Sequence, residues 1–591
     1  MMEDKRKYML SVDQSTQGTK ALLFDREGRL LMRRDMAHRQ IINEKGWVEH
    51  DLEEIWENTK LAVKGVLEEA GIGWEELAGM GISNQRETIG AWDRISGKPV
   101  YHGIVWQCAR GEEICAKVRK QGKAELVRER TGLALSPYFS AAKLAWIFEN
   151  VPEAARLADK GQLCCGTIDA WLIYKLTGGR VFSTEYSNAS RTQLFNLNTL
   201  RWDSQVCEIF GIPLACLPKV QDSDSLFGMT DIGGILDQPI PVCCAMGDSQ
   251  SALYGQGCHS PGMAKATYGT GSSVMMNVGE KPVFCGGGLV SSIAWGSGGK
   301  VWYVLEGNVN YTGAVVTWLK DKLGLIADAK ETERLAMEAS PEDKTYIVPA
   351  FSGLGAPYWD SEATALITGI TRLTGRAEMV RAALECIAYQ IYDIVSRMGN
   401  PFFQAEGGVD AASRAEGGAD AGFRANVGAD IALQTGEGAG VVFQADEGAN
   451  IAFRTDEGAG IALRTDEGAG IALRTDEGAG IALRTDEGAG IALRTDEGAG
   501  IVLQADGGPA KNCYLMQFQS DILGLPVAVP EHEELSGIGA AYMGGIRLGF
   551  YQKDKLFERQ ERMLYCPKMA EEERKRRIEG WERAVRQALE H

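Results

Sequence analysis

Two short turns rich in glycine and hydroxyl residues decide the reading of this chain: DQSTQGTK at Asp13–Lys20 and TYGTGSS at Thr267–Ser273. The first follows the apolar stretch Tyr8–Val12 and precedes Ala21–Phe24; the second leads into Val274–Met276. Each has the order strand, turn, strand, in which backbone N–H groups and Ser or Thr hydroxyls surround phosphate oxygens. One Gly-Thr-Gly turn also makes an ordinary hairpin. Two of them, one with an Asp at its strand end, point to a duplicated ATP-binding fold with a cleft between its halves.

The flanking sequence extends this pattern. Residues 8–32 alternate as a β-meander, with a turn at Arg26-Glu27-Gly28. Asp51–Ala70 carries Ile55, Trp56, Leu61, Val63, Val66 and Leu67 at helical spacing, and Met80–Ile82 returns to strand character. The same order recurs after residue 262: strands at ATYGTG and VMMNVG, a strand pair near Leu289–Trp295 and Val301–Leu305, then a helix from Thr312. A mixed α/β architecture used twice predicts two related lobes that meet near residues 255–262.

The bulk numbers bound the function. At 591 residues the chain exceeds one core, so two or more domains are expected. Formal net charge is −18, which argues against nucleic acid or anionic membrane as the main partner. Residues 401–500 hold 18 Asp and Glu against 7 Arg, so most of that charge is local. The 13 cysteines show no paired metal-ligand spacing and read as buried free thiols, which fits a reducing cytoplasm. The N-terminus lacks an apolar signal core, and no stretch reaches the roughly 20 apolar residues of a membrane span. A cytoplasmic protein is expected.

Residues 403–503 stand apart. They repeat every ten residues, and four consecutive blocks across 455–494 read TDEGAGIALR without change. Three readings stay open: a stacked β structure with one short strand per unit, a disordered acidic loop, and a Ca2+-binding array built on the acidic Gly-rich turns. The last unit, IVLQADGGPAKN at Ile501–Asn512, returns to ordinary globular sequence.

The chain resembles the FGGY carbohydrate kinases, and within them the glycerol kinases. The segments that carry the resemblance are YFSAAKLAWIFEN (Tyr138–Asn150) and ALITGITRLTGRAEMVRAALE (Ala365–Glu385), with GWVEHD (Gly46–Asp51), ISNQRET (Ile82–Thr88), IVWQ (Ile104–Gln107), GEKPV (Gly279–Val283) and LMQFQSDILG (Leu515–Gly524). It implies a two-lobed actin/hexokinase-like (ribonuclease H-like) α/β fold with a decapeptide-repeat insertion in the C-terminal lobe. The expected division is 1–258, then 259–551 interrupted by 403–503, then a helical tail 552–591 whose charged stretch Glu571–Glu590 reads as a solvated helix.

The implied reaction is Mg2+-assisted transfer of the γ-phosphoryl of ATP to a hydroxyl of a small polyol or sugar. Such transfer needs charge neutralisation, donors around the phosphates and a base for the hydroxyl proton. By the resemblance, Asp13 is the carboxylate near Mg2+, and Ser15, Thr16, Gln17 and Lys20 belong to the first phosphate turn. Asp248 is the general base, with a helix N-cap as the plainer reading. Arg86, Glu87, Trp106 and Tyr138 line the polyol pocket, with Ser249 and Ser273 beside them. Thr270, Gly271, Gly313, Thr317, Gly508 and Asn512 form the nucleotide side. A dimer or tetramer also fits the resemblance.

The chain departs from glycerol kinases at several of these positions. Lys20 stands for Arg, Ser249 for the Gln after the base, Ser273 for an aromatic and Thr317 for Gln, and the WQ segment continues Cys108-Ala109-Arg110. The two serines remove bulk and one amide from the pocket, so a longer polyol or ketose is the alternative acceptor. A catalytically impaired nucleotide-binding protein, with the repeat as an interaction surface, is the other alternative. Met229–Pro241 lacks the histidine and basic Gly-rich loop of regulated glycerol kinases, so neither control is expected there.

Overall fold

The computed structural model describes residues 5–284, 288–360, 362–405, the repeat strands between 421 and 495, 502–558, 560 and 562–590. The chain forms two compact units. The first comprises Met1–Pro261, Ser273–Asn308 and Pro530–Arg562; the second comprises Gly262–Ser272, Val309–Val529 and Met563–His591.

The first unit is built on a six-stranded sheet. Its strands follow the order Gly228–Thr230, Ile240–Gly247, Leu77–Asn84, Tyr8–Gln14, Gly18–Phe24, Leu30–Ala37. The three N-terminal strands pair antiparallel, as the meander predicts, while Leu77–Asn84 runs parallel to both Tyr8–Gln14 and Ile240–Gly247. The parallel strands are apolar along their length because helices cover them. One such helix is Leu52–Ala70. Asp51 caps it by accepting the N–H groups of Glu53 and Glu54, and Gly71 ends it at φ 64, a left-handed conformation that suits glycine. Its buried face (Ile55, Trp56, Ala62, Val63, Val66, Leu67) joins Leu10, Val12, Ile82 and Trp171 in one core. This sheet brings the ends of Tyr8–Gln14, Leu77–Asn84 and Ile240–Gly247 side by side: Asp13 pairs with Ser83, and Gly247 pairs with Asn84.

In the second unit, Ala264–Tyr268 pairs parallel with Leu503–Asp506, which pairs parallel with Val527–Pro530. The segment leaving the repeat is thus held in register on both sides. Gln519, in the helix Cys513–Leu523, donates to the carbonyl of Ala388 in the long helix Arg376–Ala405. The C-terminal helix Glu571–Leu589 is not a solvated tail. Trp581, Ala584, Val585 and Ala588 are buried, the Trp581 ring stacks on Tyr389 at 5.2 Å, and its indole N–H donates to Asp393 at 2.9 Å. Those four residues form a narrow stripe at helical spacing that the surrounding charges hide in the sequence. The expected helical tail also contains a strand, Arg562–Tyr565.

The described residues of the repeat form six-residue strands such as Gly460–Thr465, preceded by Ala421–Ala425. Each strand pairs parallel with the strand two units onward, giving two interleaved four-stranded sheets. Ile461 faces Ile481, Leu463 faces Leu483 and Arg464 faces Arg484 in register. The structural period is therefore 20 residues where the sequence period is ten, because alternate units enter opposite sheets. Phe403, where the sequence period starts, is still helical. The acidic turns, on which the Ca2+ reading depends, lie outside the described residues, as does Cys285.

Candidate active site

Asp13 is the penultimate residue of the first strand of the first unit, and its neighbours follow from strand register. Lys20 lies across the antiparallel pair and Ser83 across the parallel one. Ser83 Oγ donates to Asp13 Oδ1 at 2.9 Å, and Lys20 Nζ stands 3.8 Å from Oδ2. Burial pushes the Asp13 carboxyl up to about 6, against the opposing pull of Lys20 and Ser83, with Asp248 and Glu534 adding to the rise. The adjoining turn is closed by Ser15, whose N–H and Oγ both donate to the Gly18 carbonyl. Gln17 is exposed, and Thr16 Oγ1 accepts the Trp106 indole N–H at 3.0 Å. Trp106 is thereby tied to the turn that follows Asp13.

Asp248 opens the helix Asp248–Gly255 at the end of the Ile240–Gly247 strand. The N-cap position belongs to Gly247, so the capping alternative does not describe Asp248. Asp248 Oδ1 accepts the Ser249 N–H at 2.6 Å and lies 3.3 Å from Arg86 Nε. Its other oxygen takes no hydrogen bond among the described residues, and the side chain is 35% exposed. It is a carboxylate held at one oxygen and open at the other.

Arg86 and Glu87 follow the Leu77–Asn84 strand in a tight turn. Thr88 N–H donates to the Arg86 carbonyl at 2.7 Å around Glu87, whose φ is 59. A non-glycine residue in the left-handed region costs free energy and persists where its surroundings hold it. Here the hold is chemical: the Glu87 carboxylate pairs with Arg191 at 2.5 Å, and its carbonyl accepts Ser140 Oγ at 2.8 Å. Arg86 meets Glu306 through two bonds, Nη2 to Oε1 at 2.8 Å and Nη1 to Oε2 at 3.0 Å. Arg191 Nη1 lies 2.8 Å from the same Oε2, as an ion pair. Ser273 Oγ also donates to Glu306, at 3.3 Å. All four charged groups are buried, so each charge depends on its partners.

Tyr138 and Trp106 complete this side, with ring centroids 5.5 Å apart. Burial and the Glu87 charge push the Tyr138 phenol well above its ordinary range, so it stays a neutral hydroxyl donor. The loop that carries it is clamped by Lys143, whose ammonium donates to the carbonyls of Pro137, Tyr138 and Phe139.

The second unit holds the other predicted turn. Gly269 and Thr270 carbonyls accept the N–H groups of Thr312, Gly313 and Ala314, which lays the turn against the start of the helix Gly313–Asp321. A side chain on Gly271 would meet the Val309 carbonyl at 2.4 Å, so this approach requires glycine. Thr317 Oγ1 donates to the Gly313 carbonyl. Gly508 differs: a Cβ there would meet no atom within 4 Å. The protein's own packing leaves that space open beside the backbone. Asn512 accepts the Leu515 N–H to cap the following helix, and its amide donates to Thr332 at 3.0 Å. Its planar amide is therefore engaged within the unit.

Reading the sequence missed Ser83, Arg191, Glu306, Glu534 and Lys143. Arg191 and Glu306 lie 104 and 220 residues from their partners Glu87 and Arg86. Lys143 and Ser83 fall in segments that the resemblance singled out, Tyr138–Asn150 and Ile82–Thr88, and no local pattern marks the other three.

Comparison with known proteins fits this geometry. The N-terminal domain of the FGGY family of carbohydrate kinases matches residues 8–255, and its C-terminal domain matches residues 264–411 and 478–548. Glycerol kinase 1 of Thermotoga maritima is 39% identical, covering 98% of this chain and 99% of its own length. The glycerol kinase of Caldanaerobacter subterraneus is 38% identical with 99% of both chains covered. The crystal structure of Plasmodium falciparum glycerol kinase with ADP superposes with TM-score 0.78 at 30% identity, covering 99% of this chain and 98% of that one. A xylulose kinase from Lactobacillus acidophilus shares the fold at TM-score 0.73 and 17% identity. The chain, with Asp13, Arg86, Glu87 and Asp248 all inside the matched N-terminal range, thus belongs to the FGGY family of carbohydrate kinases.

Proposed function

We propose that the chain phosphorylates glycerol, or a polyol of similar size, at a hydroxyl with ATP as donor, and that Asp248 is the base. Family membership already makes it a carbohydrate kinase, a phosphotransferase with an alcohol acceptor. The observation that carries the finer reading is the Asp248 carboxylate, fixed at Oδ1 by Ser249 and Arg86 and unbonded at Oδ2 among the described residues. In this reading Oδ2 accepts the hydroxyl proton while the substrate oxygen forms its bond to the γ-phosphorus and the bond to ADP breaks. Arg86, Glu87 and Tyr138 present two donors and an acceptor to the remaining hydroxyls, with the Trp106 ring as an apolar wall.

On the nucleotide side, the open space at Gly508 suits a ligand that lies close to the backbone. In the first unit Ser15, Thr16, Gln17 and Lys20 would donate to phosphate oxygens; in the second, Thr270 would donate to phosphate, and Gly313, Thr317 and Asn512 would border the base and ribose. Asp13 suits a divalent cation, and among the described residues no cluster of three or more His, Cys, Asp or Glu offers a full protein cage. That fits Mg2+, which keeps water and phosphate ligands and would neutralise developing phosphate charge.

Full-length identity near 39% to glycerol kinases favours glycerol over the longer polyol or ketose, and favours an active enzyme over an impaired nucleotide binder. We also propose a cytoplasmic enzyme, which ten buried free cysteines favour; among the described residues no helix is long and apolar enough to cross a membrane. An ATP-coupled assay over glycerol, erythritol, xylitol and xylulose tests the reading. The highest kcat/KM is expected with glycerol, and a ketose preferred by tenfold or more would refute it.

A further inference from the structure

In the first unit, both carboxylates assigned to the chemistry stand at the outer reach of a cation whose closer partner is a different carboxylate. Arg86 lies 3.3 Å from Asp248 but 2.8 Å from Glu306. Lys20 lies 3.8 Å from Asp13 but 2.8 Å from Glu534. Glu534 is 8% exposed in its side chain and stands at the N-cap position of the helix Leu535–Arg547, yet its carboxylate makes no capping bond. Instead Oε2 accepts from Lys20, and Oε1 accepts from Arg33 at 2.5 Å. Arg33 is braced in turn by two bonds to Asp35, each 2.8 Å. A buried carboxylate that forgoes its own helix to hold two cations is placed for those cations.

We propose that Glu534 is a positioning residue that holds Lys20 off Asp13, so that Asp13 is open to the divalent cation and the ammonium, with one donor given to Glu534, keeps its others for the phosphates. The competition is physical. Lys20 is opposite Asp13 in strand register, and an ammonium beside a buried carboxylate closes to ion-pair distance unless another acceptor holds it. Glu534 is that acceptor, and Arg33 fixes its other oxygen so that it cannot turn away. A lysine at position 20 makes the device necessary: unlike a planar guanidinium, an ammonium is a point charge with no fixed fork to orient it. This rests on the kinase reading given above.

The test uses the full chain with Glu534→Gln, Glu534→Asp and Lys20→Met. With Glu534→Gln, the Mg2+ concentration for half-maximal activity should rise about tenfold and the KM for ATP several-fold, while the KM for glycerol stays within about twofold. Glu534→Asp should restore most of the loss. Adding Glu534→Gln to Lys20→Met should cost little more than Lys20→Met alone, because both act through one contact. A crystal structure of Glu534→Gln, independent of activity, should show Lys20 Nζ drawn onto Asp13 at about 3 Å. Lys20 left in place in that structure, or a loss of thermal stability with Mg2+ and ATP dependence unchanged, overturns the proposal. A wild-type chain without turnover overturns the kinase reading instead, and the crystal structure still decides the position of Lys20.

Discussion

Replacing Glu306 by Gln tests how the buried charge cluster works. The carboxylate receives two bonds from Arg86, at 2.8 and 3.0 Å, and an ion pair from Arg191 at 2.8 Å, with no solvent exposure. Bonds to a charged group contribute about 1.5–3 kcal/mol each, so losing the equivalent of two removes about 3–6 kcal/mol. Part of this returns. Arg86 retains Asp248 at 3.3 Å and Gln250 at 3.3 Å, and Arg191 retains Glu87 at 2.5 Å. The cluster also sheds one of three negative charges that faced two guanidinium groups. A net destabilisation of about 2–4 kcal/mol remains, below the full penalty for stranding a buried charge. It should appear in urea unfolding as a lower midpoint with an unchanged slope. Activity should suffer further, because Arg86 released from Glu306 closes on Asp248 and competes for the proton acceptor. The expected kcat is at least tenfold lower than wild type under conditions where the protein is folded. A variant within about 0.5 kcal/mol of wild type, with kcat unchanged, would refute the reasoning, since that is the range of substitutions that touch no critical contact.

Further expectations follow from other contacts. Burial pushes the Asp393 carboxyl up to about 7 despite the bonds from Trp581 and Tyr358. The folded state therefore binds this proton more tightly than the unfolded state does, and stability falls as pH rises from about 4 to 7. Asp393→Asn should flatten that part of the stability profile, as measured by urea unfolding at several pH values; an unchanged slope would count against it. Lys143 must be protonated to donate to three carbonyls, and burial pushes its ammonium down to about 7. The KM for glycerol should rise above that pH while the KM for ATP does not, and Lys143→Met should show the raised KM at every pH. Deleting residues 421–500 should leave most of the kcat, because Leu503–Asp506 is anchored by the strands on both sides. Loss of ATP binding in the deletion variant would make the repeat part of the nucleotide site.

Much of the fold was legible because its signals are local. The antiparallel meander, the capped helix after Asp51 and the strand pair at Val290–Ser297 and Lys300–Val309 follow from short-range periodicity and turn chemistry. Asp13 and Asp248 could be located because one lies near a strand end and the other opens a helix, and Arg86 and Glu87 because they follow a strand inside a recognisable segment. Glu306, Arg191 and Glu534 could not. A buried charge is written in the sequence like a solvated one, and only its distant partner distinguishes them. The tail helix failed for a related reason: four small or aromatic residues on one stripe outweigh the surrounding charges once Tyr389 and Asp393 are in place. The repeat shows the opposite case, since a ten-residue period gives strand spacing but not which strands pair.

The most direct test of the account is the comparison of wild type with Asp248→Asn in an ATP-coupled assay with glycerol, alongside calorimetric titration of ATP. The amide keeps the shape and the bond from Ser249 but cannot accept the hydroxyl proton as a carboxylate does. Wild type should show glycerol-dependent turnover, and the variant a kcat lower by about 10²–10⁴-fold with ATP affinity within about threefold. A variant that retains kcat within a few-fold of wild type would contradict Asp248 as the base.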